Sequence, residues 1–179
     1  INCVPIKGIN DIDLIEVLDF CKSKGYVVRF IEFMENNHAK DGAKGLNSDE
    51  IKAIIATKYP DFKIVPRDNS SPAQYYEIEG GFQFGIIEPH KDDFCAACNR
   101  IRLTAEGFLI PCLYFEDAMS IKDAVRSNNI DEAVAILKKV LAGKPEKNKW
   151  SNQEDDNKIS TRAFYQTGGW KQLFKVKVK

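Results

Sequence analysis

The chain has 179 residues, 44% hydrophobic and 29% charged, a mix that excludes disorder as the main state and suits a soluble protein with a buried core. Twenty-six basic residues balance 26 acidic ones, so no overall field points to nucleic acid or to an anionic membrane, and any anion site must be local. No apolar run reaches the roughly 18 residues of a membrane span, and an odd count of five cysteines fits a reducing, cytoplasmic setting better than a disulfide framework.

Ile1 opens the chain inside an apolar run without a preceding turn, so a piece of a longer protein is expected. Residues 1–6 suit a buried strand, Asn10 or Asp11 can cap a helix, and Ile12, Ile15, Leu18 and Phe20 recur at helical spacing until Gly25 ends it. Val27 to Met34 reads as a second buried strand, which completes the strand–helix–strand pattern of a parallel α/β unit. Arg29 and Glu32 are charged residues within that strand and are expected to pair with each other or to line a polar cavity.

A loop rich in Asn, Gly and Lys follows to about residue 45 and marks a boundary, after which Asn47 or Ser48 starts a helix to about Lys58. Tyr75–Glu79 and Phe82–Pro89 flank Gly80-Gly81 as a hairpin, and 101–104 with 108–110 form a second one around Ala105-Glu106-Gly107. Helices are expected near 120–127 and 131–141, a polar loop over 144–158, and an exposed strand over 171–179. The fold class is mixed α/β.

Cys95 and Cys98 have the two-residue spacing with which neighbouring thiolates grip one metal or one cluster edge, and the 13 residues before Cys112 are what a hairpin consumes in returning to its start. Three thiolates leave one coordination position to fill. His90 offers one answer, a closed Cys3His zinc site; an open iron–sulfur cluster is another; a nucleotide-binding adaptor that uses the Arg100 and Arg102 pair without metal is a third. Cys3 and Cys21 have no partner at ligand spacing and are expected to pack in the core.

The run FCAACNRIRLTAEGFLIPCL over 94–113 resembles the carboxy-terminal cluster motif of the GTP 3′,8-cyclases, radical S-adenosylmethionine (radical SAM) enzymes of molybdenum cofactor biosynthesis. KGIND, VRFIEFM at 28–34 and FQFGIIEPH extend the likeness over most of the chain. Residues 1–45 then correspond to the last part of an incomplete (β/α) barrel, 46–169 to a cluster- and GTP-binding domain, and 170–179 to an extension beyond the diglycine Gly168-Gly169, which normally closes chains of this family.

The resemblance implies that Cys95, Cys98 and Cys112 hold a 4Fe-4S cluster whose open iron takes the guanine of GTP, and that Arg100, Ile101 and Arg102 bind the nucleotide. Two arginines two residues apart on a strand share a face, and each presents a planar fork of donors to phosphate. It implies further that Met34 contacts S-adenosylmethionine, that Gly168 and Gly169 reach into the active site, and that the whole enzyme is a homodimer. Its product would pass to a cyclic pyranopterin monophosphate synthase. The reaction implied is hydrogen abstraction from C3′ of GTP by a 5′-deoxyadenosyl radical, followed by bonding of C3′ to C8. The C-x3-C-x2-C motif of the second, reducing cluster is not in this sequence, so the chain alone is expected to be inactive.

Overall fold

Leu14, Leu18 and Cys21 fall on one side of a helix, and the chain folds to bury them: α1 runs Leu14–Lys24 and closes on Gly25 in the left-handed region. The computed structural model describes residues 1–34, 42–66, 71–91, 94, 98, 100–113 and 117–144. These fall into two compact units, the first drawn from residues up to Cys98 and the second from residue 100 onward.

The first unit is a five-stranded sheet in the order β1-β2-β5-β4-β3, comprising β1 (Asn2–Cys3), β2 (Val28–Ile31), β3 (Lys63–Ile64), β4 (Ala73–Glu77) and β5 (Gln83–Ile87). β1, β2 and β5 are parallel, whereas β4 runs antiparallel to β5 and β3 antiparallel to β4. α2 (Ser48–Ala56) begins with the capping box that its sequence spells: Asn47 Oδ1 accepts from Glu50 N–H, and the Glu50 carboxylate from Asn47 N–H, each at 2.9 Å.

One face of the sheet is apolar. Val28, Phe30, Phe84 and Ile86 meet Leu14 and Leu18 of α1 and Ile51 and Ile55 of α2, with Tyr76 stacked on Phe84 at 5.4 Å and Phe62 edge-on to both rings. Asp19 on α1 accepts from Tyr59 Oη and from Lys58 Nζ, both at 2.5 Å, and so ties the two helices at their rim. Those bonds hold the Asp19 carboxyl below its ordinary range, and the carboxylate in turn pushes the Tyr59 phenol up to about 12.

The second unit is a three-stranded antiparallel sheet, β6 (Arg102–Leu103), β7 (Phe108–Ile110) and β8 (Met119–Ser120), followed by α3 (Lys122–Arg126) and α4 (Ile130–Ala142). α4 packs on β7 and β8, with Asn129 capping its start through Glu132 N–H.

Both hairpins, the two helices of the first unit and the closing pair of the second stand where the sequence places them, and the class is mixed α/β. The first strand is shorter than expected, Asn2–Cys3 rather than residues 1–6, and Pro5, which has no N–H, lies just beyond it. Ser120 belongs to β8, so the helix expected from that residue begins at Lys122. The 171–179 strand and most of the 144–158 loop lie outside the described residues. Among those described, no helix is long and apolar enough to cross a membrane.

Candidate functional site

Parallel strands place their carboxyl ends along one edge, where open α/β sheets hold ligands, and in the first unit β1, β2 and β5 do so. Met34 lies three residues past the end of β2, half-buried, next to Phe33. Phe33 is fixed from two sides. Its carbonyl accepts from His90 Nε2 at 3.1 Å, and a Cβ added at Gly45 would collide with Phe33 Cβ. Gly45 is itself held by its bridge to Ile6, with Lys7 N–H donating to Lys44 O at 2.8 Å and Leu46 N–H to Pro5 O at 3.1 Å. The backbone leading to Met34 thus rests on a glycine because only a glycine fits.

Glu32 and Glu88 continue the β2–β5 register, in which Ile31 pairs with Ile87. Both are buried on the helix side. The Glu32 carboxylate accepts from Ser48 N–H at 2.7 Å, and Glu88 has Lys91 Nζ at 2.5 Å. Burial pushes the Glu32 carboxyl above its ordinary value, partly offset by the Ser48 bond and by His90, with Glu88 adding to the rise and Lys91 opposing it.

Arg29 faces away from Glu32. Its Nε donates to Asn2 Oδ1 at 2.9 Å across the β1–β2 pair, so the two charges do not pair with each other. They are three apart on a strand and therefore project to opposite faces. Asn2, Arg29, Gly85 and Tyr75 lie in one register row. A Cβ on Gly85 would stand 3.1 Å from Arg29 Cγ and from Tyr75 Cε1, so the bare glycine leaves room for both side chains.

In the second unit, Arg102 pairs with Ile110, and Arg100 and Ile101 immediately precede β6; all three residues named in the RIR stretch are half-buried. Thr104 closes the turn, giving its N–H to Phe108 O at 2.9 Å and accepting Phe108 N–H on Oγ1 at 3.2 Å. Cys112 is half-buried two residues beyond β7, past Pro111. Cys98, at the end of the first unit, is half-buried as well. Cys95, Gly168 and Gly169 lie outside the described residues. Among those described, no three His, Cys, Asp or Glu side chains converge as a metal-binding group.

Cys21 is fully buried in the core and Cys3 packs against it, as expected of structural thiols, and burial pushes both thiols up. Sequence reasoning missed Asn2, Gly45, Glu88 and Lys144. A polar Asn in an apolar run was a visible signal for the first. Lys144 was not separable from the other lysines near the end of the chain, yet its Nζ donates to Arg100 O at 2.5 Å and to Pro111 O at 3.3 Å.

The family model described as Molybdenum Cofactor Synthesis C matches residues 26–150. Curated relatives named GTP 3′,8-cyclase include one from Aliarcobacter butzleri, 82% identical over 169 residues, and one from Campylobacter curvus, 57% identical over 169. A third, from a Sulfurovum species, is 49% identical over 172 residues. Each alignment covers 94% of this chain and 52% of the relative. The chain spans about half the length of the curated relatives it matches.

Proposed function

The chain belongs to the Molybdenum Cofactor Synthesis C family, and from that premise we propose that it is the substrate-binding part of a GTP 3′,8-cyclase, acting in molybdenum cofactor biosynthesis. The single observation that carries this is the 82% identity to a protein of that name over 94% of the chain. In this reading residues 1–45 are the last part of a radical-SAM barrel, 46–169 the cluster- and GTP-binding domain, and 170–179 an extension.

Cys95, Cys98 and Cys112 are the residues that would hold a 4Fe-4S cluster. The donor set fits. Cys98 and Cys112 are half-buried rather than sealed in the core like Cys21, and the ammonium of Lys144, reaching the carbonyl of Pro111, supplies positive charge beside the last of the three anionic ligands. When bound, such a cluster supplies an open iron that polarises and orients a purine.

The chain's own residues do the rest. Arg100 and Arg102 hold the triphosphate by charge-assisted bonds, Ile101, between them in sequence, turns its side chain the other way, and Met34 contacts S-adenosylmethionine. Gly168 and Gly169 are small enough to enter the cavity. The complete enzyme, on this reading, is a cytoplasmic homodimer with a second 4Fe-4S cluster, and it hands its product to a cyclic pyranopterin monophosphate synthase.

Anaerobic purification tests the reading. A brown protein absorbing near 400 nm, about four iron and four acid-labile sulfide per chain, is the expected result. A colourless protein with stoichiometric zinc would overturn it in favour of a closed structural site.

A further inference from the structure

The hairpin that carries the RIR stretch loses its ladder just where the proposed ligands begin. Arg102 pairs with Ile110, and the register carried two residues further brings Arg100 level with Cys112. The paired strands stop short of them, and the intervening residue on the returning strand is Pro111, which has no N–H to give. A frayed hairpin end would leave Arg100 and Cys112 to splay independently.

Lys144 closes that end. It follows α4 directly, separated from Ala142 only by Gly143, and its half-buried ammonium donates to Arg100 O at 2.5 Å and to Pro111 O at 3.3 Å. One side chain therefore bridges both strands, on one side at the carbonyl of Arg100 itself and on the other at the carbonyl one residue before Cys112. A lysine suits the task, since three donors on a single nitrogen can meet two carbonyls that converge from different strands. The anchor behind it is firm: Val140 of α4 is buried, and the helix packs on β7 and β8.

We infer that Lys144 is a positioning residue of the nucleotide site, a strap that sets the backbone of Arg100 and Cys112 in one geometry so that phosphate and iron are presented together. This rests on the proposed function, because only that reading gives Arg100 and Cys112 their ligands. The strap contacts neither GTP nor metal through its carbonyl bonds. Its effect reaches both through backbone placement.

The test uses this chain grafted over the matching part of the Aliarcobacter butzleri relative and reconstituted anaerobically. In iron-replete protein, Lys144→Met, which keeps the stem and removes the donors, is expected to weaken GTP binding about tenfold by calorimetry and to speed iron release to a chelator. Lys144→Arg should recover most of both, because a guanidinium also reaches two acceptors. A lysine that merely supported the fold would lower the denaturation midpoint and leave GTP affinity and iron release at the parent level; that result overturns the inference. Should Lys144→Met fail to fold, Lys144→Gln, which is one bond shorter and carries no charge, is judged by the same two readouts. Cys112→Ala runs alongside. If it loses iron while the Lys144 variants match the parent, this inference alone falls; if it retains parental iron, the cluster assignment falls and the strap with it.

Discussion

The carboxylate of Glu32 accepts a 2.7 Å hydrogen bond from the backbone N–H of Ser48, the first residue of α2, in a setting where both residues are buried. A strand end and a helix start are thereby fixed to each other two residues before Met34. The bond satisfies one of the N–H groups that every helix leaves without an internal partner, and a negative charge there also suits the helix dipole.

Glu32 makes stability depend on pH in a stated direction. Its folded-state carboxyl is raised by burial, with His90, Glu88 and Lys91 as the other facing groups. The folded state therefore binds the proton more tightly than the unfolded chain. That contribution is fully present below the ordinary carboxylate range and is lost as pH rises through the raised value. Glu32→Gln keeps an acceptor for Ser48 and carries no charge, so its stability relative to the parent should climb between pH 4.5 and pH 8. Glu32→Ala should cost about 1–3 kcal/mol by leaving a buried N–H unpaired. Urea midpoints at the two pH values check both, and a Glu32→Gln difference that is flat or falls with pH would refute the assignment.

Gly45→Ala should disturb the Met34 segment without touching the core. The added methyl collides with Phe33 Cβ, so either Phe33 or the 44–46 segment must shift, at a cost of about 1–3 kcal/mol. S-adenosylmethionine affinity in the complete enzyme should fall with it, whereas Ile55→Val, a core truncation on α2, should lower stability by about 1 kcal/mol and leave that affinity alone. Equal affinities in parent and Gly45→Ala would remove Phe33 from any role in placing Met34.

Iron content separates the cysteines. Cys112→Ala should lose most of the iron that the parent retains after anaerobic reconstitution, because a thiolate ligand is gone. Cys21→Ala deletes a thiol from a sealed core site and should destabilise the fold modestly, with iron unchanged. Two variants with equal iron would sink the ligand assignment.

Arg100→Ala and Arg102→Ala should each weaken GTP binding by about 1.5–3 kcal/mol if a charge-assisted bond is lost, with iron content intact. Guanosine has no phosphates and should bind parent and variants alike. Lysine replacements keep the charge and lose the planar fork, so partial recovery is expected. Calorimetry on iron-replete protein reads all of these; unchanged GTP affinity in both alanine variants would return the pair to ordinary surface residues.

Local rules made the helices and hairpins legible. The Asn47 cap, Gly25 and the diglycine at 80–81 act within a few residues of themselves, and each stands where the spacing places it. The pairing of β2 with β5 was not legible, because nothing near Val28 names Phe84 as its neighbour. The same limit explains the charged strand residues. Mutual pairing of Arg29 and Glu32 was one expectation, yet strand alternation sets them on opposite faces, and which group each meets depends on Asn2 and Ser48, brought in from other elements. The cysteine spacing suggests ligand chemistry because ligation has its own short-range grammar, whereas Lys144 reaches its carbonyls from the far end of a helix and leaves no such trace.

The pairing of β2 with β5 also has a bearing on how the chain folds. β4 and β5 form a hairpin from adjacent residues, quick to close, while β2 must wait for that hairpin before its second edge is satisfied. Until then Phe30 lacks its neighbour Phe84, and the strand that leads toward Met34 shows an open edge to other chains. The slow step expected in the first unit is the long-range capture of that hairpin by β2, since this pairing spans more of the chain than the other strand pairs of the sheet. Changes at Gly85, where that capture brings Arg29 and Tyr75 against one bare backbone, would then be felt as slow folding and aggregation before they are felt at equilibrium.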